Sequence, residues 1–153
     1  MEQPFILFQV AGATYAVRSE EVQQIEMIEE ITHVPNAPGF VDGVVYLRGS
    51  VIPVVNLRAR FGFEKIPYDL RSRLVVVQLD RRVVGLAADT AREFVKLEMS
   101  QILPPPEDLH GPNLVYLEGV ISWKERLVLV VNLRKLLSFA EKEELSTVVE
   151  NAA

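Results

Sequence analysis

Apolar positions fall in short runs of four to six residues, mostly valine with isoleucine and leucine, separated by Gly, Pro, Asp or paired Arg. β-Branched side chains pack well on a pleated surface, so runs bounded by turn-forming residues read as strands. Strands are predicted at about 4–10, 14–17, 24–32, 43–47, 51–55, 72–79, 83–87, 94–97, 117–122 and 127–131. The period changes only near the end. There Leu133, Leu136, Leu137, Ala140 and Leu145 suit one face of an amphipathic helix, predicted over 133–149.

An internal repeat organises these strands. Residues 43–58 align without gaps on 119–134, an offset of 76, and both copies end in Val-Val-Asn-Leu-Arg. Upstream, 5–17 lie over 74–86 at an offset of 69, with Gln9 on Gln78. The difference falls in the linker ahead of the repeated glycine, 35–39 in one half and 103–112 in the other. Two tandem units of about five strands each are too short for separate sheets with two buried faces, and closure into small barrels solves that problem. The predicted fold is all-β: one domain over 1–153 with two pseudo-symmetric five-stranded SH3-like barrels sharing a core. Sub-barrel one spans about 1–70, sub-barrel two about 71–138, and the C-terminal helix follows.

The repeat also assigns local roles. Asn56 and Asn132 each follow a strand and precede Leu-Arg, where an Asn side chain caps the free N–H groups of a new helical turn. Gly62 is expected to stop the first turn by taking the left-handed conformation, whereas Ser138 in the second copy lets it run on. Gly49-Ser50 suits a tight hairpin, and the second copy breaks the repeat there with Lys124-Glu125-Arg126. Function is sought at that broken tip, the alternative being that the first tip merely turns more tightly. Pro53 lacks a ladder donor, which places it at an edge or bulge. Trp123 and Tyr46 are read as core, with an interface anchor as the alternative. Glu141, Glu143 and Glu144 are read as a solvated helix face.

Composition narrows the chemistry. Cysteine is absent from the 153 residues, which removes disulfides, Cys-based zinc sites and thiol nucleophiles. His33 and His110 are the two histidines and are read as solvated loop residues, too few to hold a metal with unspecific carboxylates. Phosphate-binding glycine loops, nucleophile elbows and zincin or calcium motifs do not occur, so no enzyme and no cofactor is expected. Net charge is −5, with one base against seven acids in 1–42, ten against five in 43–96 and five against nine in 97–153. The overall acidity opposes nucleic-acid binding, and the pairs Arg58/Arg60 and Arg71/Arg73 are read as solvated faces. Apolar runs such as 127–131 are far too short to span a bilayer, and the first residues lack a signal-peptide pattern. A cytoplasmic protein without membrane insertion is expected.

The segment 43–62, with Leu47-Arg48-Gly49 and Val54-Val55-Asn56-Leu57-Arg58 at its centre, closely resembles the signature of the CheW family of chemotaxis coupling proteins. The resemblance extends over the hairpin 8–17, Val22-Gln23-Gln24-Ile25, Pro35-Asn36-Ala37-Pro38, the strand 84–89, and 116–119 with 129–137. It implies two five-stranded barrels and a non-enzymatic scaffold that bridges chemoreceptor cytoplasmic tips to the regulatory domain of the histidine kinase CheA, in the cytoplasm at receptor arrays. By the same resemblance Val22, Ile25, Gly43, Leu47, Arg48 and Gly49 fall on receptor-binding positions, while the residues that contact the kinase are not fixed by the motif. Three departures stand out: Tyr46 where the family usually has Asn before Leu-Arg-Gly, Gln24 where it usually has Glu, and Asn56 where Asp is frequent. They imply a partner surface more apolar or more acidic than the usual receptor tip, hence a divergent chemosensory pathway. The alternative function is an SH3-like barrel module that binds another ligand such as RNA.

Overall fold

Ten strands form, one on each apolar run, though the strand predicted at 24–32 covers 22–27 and that predicted at 94–97 covers 90–98; the computed structural model describes residues 1–106 and 115–152. They are β1 (Glu2–Val10), β2 (Ala13–Arg18), β3 (Val22–Met27), β4 (Val41–Leu47), β5 (Ser50–Asn56), β6 (Arg73–Leu79), β7 (Arg82–Ala88), β8 (Thr90–Glu98), β9 (Leu117–Trp123) and β10 (Arg126–Val131). A short helix α1 (Leu57–Arg60) follows β5, and α2 (Phe139–Ala152) closes the chain. His33 is exposed as expected, whereas His110 lies outside the described residues.

The strands assemble into two five-stranded sheets, β8-β1-β2-β10-β9 and β3-β6-β7-β5-β4. This corrects the division into sub-barrels at 1–70 and 71–138. Each sheet takes three strands from one half and a hairpin from the other, so β1–β2 leave the first half to join β8, β9 and β10. The exchange is sealed by two short parallel pairings, β2 with β10 at 14–16 and β5 with β7 at 85–87. Applying the sequence offsets to one sheet order reproduces the other, so the repeat is a pseudo-twofold relation between interlocked barrels.

Each barrel has its own small interior, one around Phe5, Leu7, Ile121 and Val128 and one around Ile52, Val54, Leu74 and Val76. The larger core lies between the barrels and takes residues from both sheets together with Leu136, Leu137, Leu145 and Val148. Four aromatic rings cross it in a row, Phe8–Tyr15–Phe61–Tyr116, with successive centroids 5.6, 4.8 and 4.5 Å apart. Such contacts add roughly 0.5–1.5 kcal/mol each beyond burial.

The helical signals resolve differently in the two copies. Asn56 Oδ1 accepts from the Ala59 N–H at 3.0 Å, and Asn132 Oδ1 from the Arg134 N–H at 3.0 Å. After α1, Gly62 takes φ +87°. Its N–H donates to the Ala59 carbonyl and that of Phe63 to the Arg58 carbonyl, at 3.2 and 2.7 Å, which terminates the helix. The second copy does not run on from Leu133 as predicted. A 3₁₀ turn (Leu133–Lys135) ends first, because Ser138 starts a new helix with a capping box: its Oγ accepts from the Glu141 N–H at 3.1 Å, and Glu141 Oε1 accepts from the Ser138 N–H at 2.8 Å. Glu141 is thus a capping residue and not merely a solvated one. Pro53 is also corrected. It is buried in β5, an inner strand, and is tolerated there because pairing with β7 begins only at Val54.

Candidate functional site

β3 and β4 are the two margins of their sheet, and the chain between them passes across the open end of the barrel. Thr32 ties that crossing to β4 through paired backbone bonds with Val44 at 2.8 and 2.9 Å. The approach requires Gly43: a Cβ built there lies 2.1 Å from the Thr32 carbonyl oxygen, and φ is +140°. Gly119 stands in the same relation to Leu103 in the second copy, with 2.5 Å from a built Cβ to that carbonyl. Gly43 is buried. Its part in the candidate set is to let the wall close on β4.

The result is a groove of about 470 Å³ between the end of β3 and the end of β4, with Leu74 and Val45 below and Met27, Tyr46 and Leu47 at the sides. Leu74 belongs to the barrel interior, against which Val45 and Leu47 also pack. Apolar area is open here: Tyr46 is 73% exposed and Met27 47%, and Ile25, two residues before Met27 on β3, is 37% exposed. Tyr46 is therefore surface and not core, because it lies next to the hairpin tip where β4 leaves the interior. Trp123 is half-buried, with Lys124 and Arg126 over its ring at 4.6 and 5.1 Å. Glu26, Glu29 and Glu30 rim the groove. None of the three has an ion-pair partner among the described residues, and neither does Arg48.

The β4–β5 tip turns at Arg48-Gly49, one residue earlier than Gly49-Ser50, with φ +49° and +84° and Leu47 paired to Ser50. Positive φ at both central residues is the hairpin turn whose twist matches its strands. The second tip copies it at Lys124-Glu125, φ +49° and +64°, without a glycine. Backbone symmetry thus persists where the sequence repeat breaks. Of the residues assigned by resemblance, Leu47 lines the groove, Arg48 and Gly49 form the adjoining tip, and Val22 and Ile25 stand on β3. Sequence reasoning missed Met27 and the acidic rim. The alternation exposed, intermediate, exposed at Ile25, Glu26 and Met27 does not stand out in the sequence, where the apolar positions of 24–32 read as one continuous strand.

Polar anchors stiffen the platform. Asn56, whose Oδ1 caps α1, uses its Nδ2 to reach Asp42 Oδ2 at 2.8 Å and the Tyr68 hydroxyl at 3.0 Å. Tyr68 also donates to Asp42, and Lys65 Nζ lies 3.0 Å from Asp42 Oδ1. Burial opposes the charge on Asp42, but these bonds outweigh it and hold its carboxyl below the usual range. Burial and then Asp42 push the Tyr68 hydroxyl up. Arg58 and Arg60 are not solvated faces: Arg58 forms a forked pair with Asp89, and Arg60 Nε donates to the Leu136 carbonyl at 2.7 Å. Among the described residues no three acidic or histidine side chains converge as metal ligands, and no helix is long and apolar enough to cross a membrane.

An interlocked double barrel with a stiffened, charge-rimmed apolar groove is a protein-binding scaffold. A family model described as CheW-like domain matches residues 4–144, and the chain belongs to that family of non-enzymatic chemotaxis adaptors. It is 32% identical over 139 residues to the chemotaxis protein CheW of Klebsiella aerogenes, covering 91% of this chain and 84% of that one. It is likewise 32% identical over 144 residues to protein FrzA of Myxococcus xanthus, covering 92% and 89%. The crystal structure of the scaffolding protein TtCheW from Thermoanaerobacter tengcongensis superposes with a TM-score of 0.82 at 26% identity, over 92% of this chain and 91% of that one.

Proposed function

We propose that this protein couples chemoreceptors to the regulatory domain of the histidine kinase CheA in the cytoplasm at receptor arrays. In this reading the receptor's cytoplasmic tip packs on β3 and the β4–β5 tip. The observation that carries it is the groove itself: exposed Met27 and Tyr46 around Leu47, with Ile25 beside it on β3 and, at the adjoining tip, Arg48, which has no ion-pair partner among the described residues. Exposed apolar area bounded by charge suits a helical partner that lays an apolar ridge against it. The unpaired carboxylates of Glu26, Glu29 and Glu30 disfavour a strongly acidic ridge, and Tyr46 adds apolar area where the family usually presents Asn. The receptor tip that fits is therefore more apolar than usual, as in a divergent pathway. Individually modest contacts become strong when many copies engage together.

Calorimetric titration against a receptor cytoplasmic fragment and against the CheA regulatory domain tests this reading. Arg48→Glu is expected to weaken receptor binding by about tenfold or more, the cost of reversing one charge at a desolvated rim, and to leave kinase binding unchanged. Equal receptor affinity in the variant, or no binding of either partner by folded protein, would remove the proposal.

A further inference from the structure

The pseudo-twofold relation keeps one bulge in both copies but puts a different residue on it. In β8 Arg92 is the extra residue, since Leu7 pairs with Glu93 and Phe8 with Ala91. The offset of 69 carries this bulge to Gln23 in β3, where Val76 pairs with Gln24 and Val77 with Val22. A bulge re-aims the side chain it adds. In the first copy Gln23 Nε2 donates to Gln78 Oε1 at 3.0 Å, a closed neutral pair. In the second copy the equivalents are Arg92 and Gln9, and a cleft of about 180 Å³ opens instead.

Gln9, Thr14, Thr90, Arg92 and Glu93 line this cleft, and Arg71 borders it from the loop before β6. Thr90 is 7% exposed, and its Oγ1 is the one buried side-chain oxygen or nitrogen without a hydrogen-bond partner among the described residues. Glu93 is neutralised by Arg126, whose Nη2 reaches its two oxygens at 2.9 and 3.1 Å. Neighbouring Asp89 is neutralised by Arg58 at 2.7 Å. Arg71 and Arg92 have no ion-pair partner among the described residues. Arg71 acts at longer range on Asp89, which Arg58 already holds, so the cleft presents the guanidinium of Arg92, with that of Arg71 at its border, beside a buried hydroxyl with no acceptor.

We propose that this cleft binds a phosphoryl-type oxyanion, free or carried on a partner's side chain. Guanidinium forks and a hydroxyl are the donor set that such a group takes, and charge-assisted bonds of this kind are the strong ones. The volume corresponds to about six waters at ~30 Å³ apiece. It lies below the roughly 300 Å³ at which sites for drug-sized ligands begin, so the cleft suits a single anionic group. The site is independent of the receptor groove on the other barrel.

Backbone NMR of the full chain, titrated with inorganic phosphate at constant ionic strength, tests the assignment. Saturable shifts at Gln9, Thr90 and Arg92 are expected. R92Q, which installs the first copy's residue, and R71Q should each weaken binding by about tenfold, the equivalent of one lost charge-assisted bond, while K135Q, at an exposed residue outside both sites, changes nothing. T90V should raise the urea midpoint and still lower phosphate affinity, because an apolar methyl replaces an unpartnered hydroxyl. A parallel titration with a phosphoserine peptide and its unphosphorylated form separates the sources. Tighter binding of the phosphopeptide than of phosphate identifies a partner's phosphoryl group, and equal or weaker binding identifies the free ion. No saturable shift with either probe, shifts of equal size in folded R92Q and R71Q, or a lowered midpoint in T90V would overturn the proposal.

Discussion

Asp89 stands between β7 and β8, where the chain leaves one barrel for the other. Its N–H donates to the Gln9 carbonyl at 2.9 Å, and its carboxylate accepts from the Ala11 N–H at 2.8 Å. Arg58 on α1 completes the knot, with Nε 2.9 Å from Oδ1 and Nη2 2.7 Å from Oδ2. One carboxylate therefore joins the β1–β2 turn of one sheet to the helix that follows β5 of the other. Hydrogen bonds to charged groups contribute roughly 1.5–3 kcal/mol each. The two side chains are 21% and 27% exposed, so solvent competes for this pair. Asp89→Ala is expected to cost about 2–3 kcal/mol, and Asp89→Asn, which keeps the shape and one acceptor, about 1 kcal/mol.

Urea unfolding reads this directly. With a slope of about 2 kcal/mol/M, Asp89→Ala should lower the midpoint by about 1–1.5 M at neutral pH. The pH dependence supplies a second check. Burial opposes the charge on Asp89, but the bonds from Arg58 and Ala11 outweigh it and hold the carboxyl below its ordinary 3.8. A depressed carboxyl contributes stability that is fully present above the unfolded value and is lost as pH falls through the folded one. The gap between wild type and Asp89→Ala should accordingly be constant above about pH 5 and narrow once pH drops below 3.8. A midpoint change under about 0.25 M, or a gap that does not narrow in acid, would rule out a stabilising tie at Asp89.

The two capping asparagines should differ in the same assay. Asn132→Ala removes one cap bond and should cost about 1 kcal/mol, whereas Asn56→Ala also strips Asp42 and Tyr68 of a buried partner and should cost about 2–4 kcal/mol. Gly43→Ala forces a Cβ to 2.1 Å from a backbone oxygen, and should lower stability by more than about 3 kcal/mol. Gly12→Ala, at φ +82° with open space around it, should cost only about 1 kcal/mol. Because each sheet draws strands from both halves, residues 1–71 and 72–153 made separately should lack sheet structure by circular dichroism and regain it when mixed. A separately folded half would contradict the exchanged pairing.

All ten strands were legible in the sequence because their valine runs end at turn residues, and the two five-stranded sheets followed from the repeat. The exchange of hairpins was not legible. Tandem repetition states which segments are equivalent, and leaves open whether the hairpin 5–17 pairs, through 14–16, with 128–130 of the other half or with strands of its own. The helix boundary failed at Ser138, where an apolar period continuing from Leu133 masked a capping box. Tyr46 failed because the strand continues past the end of the barrel interior, so residue type signalled burial where position did not. The proposed receptor positions rest on resemblance; the groove beside them is lined by Met27 and Tyr46 as well, and Gly43 of that set is buried beneath its wall. The cleft at Arg92 was opaque, since a bulge is a property of pairing and only the offset between copies shows that Gln23 and Arg92 occupy one place.

The exchange bears on how an adaptor can couple two partners. Coupling is a free-energy difference between partner states, so the bridge must not absorb it by bending. Barrels built from consecutive halves would be joined by one linker, which is a natural hinge. Here the chain crosses between the sheets at the β2–β3 and β7–β8 connections, and the aromatic row from Phe8 to Tyr116 fills the space between them. Opening a hinge would have to break the Arg58–Asp89 pair, unstack those rings and expose the shared core together. β3 through β6, and β4 through β5, are laddered to β7, which leads at Asp89 into β8 and so to β1. A duplicated fold thereby supplies one stiff frame with two unlike faces, an acid-rimmed apolar groove on one barrel and a cationic cleft on the other, and the unlike faces arise where the duplicated sequences have diverged.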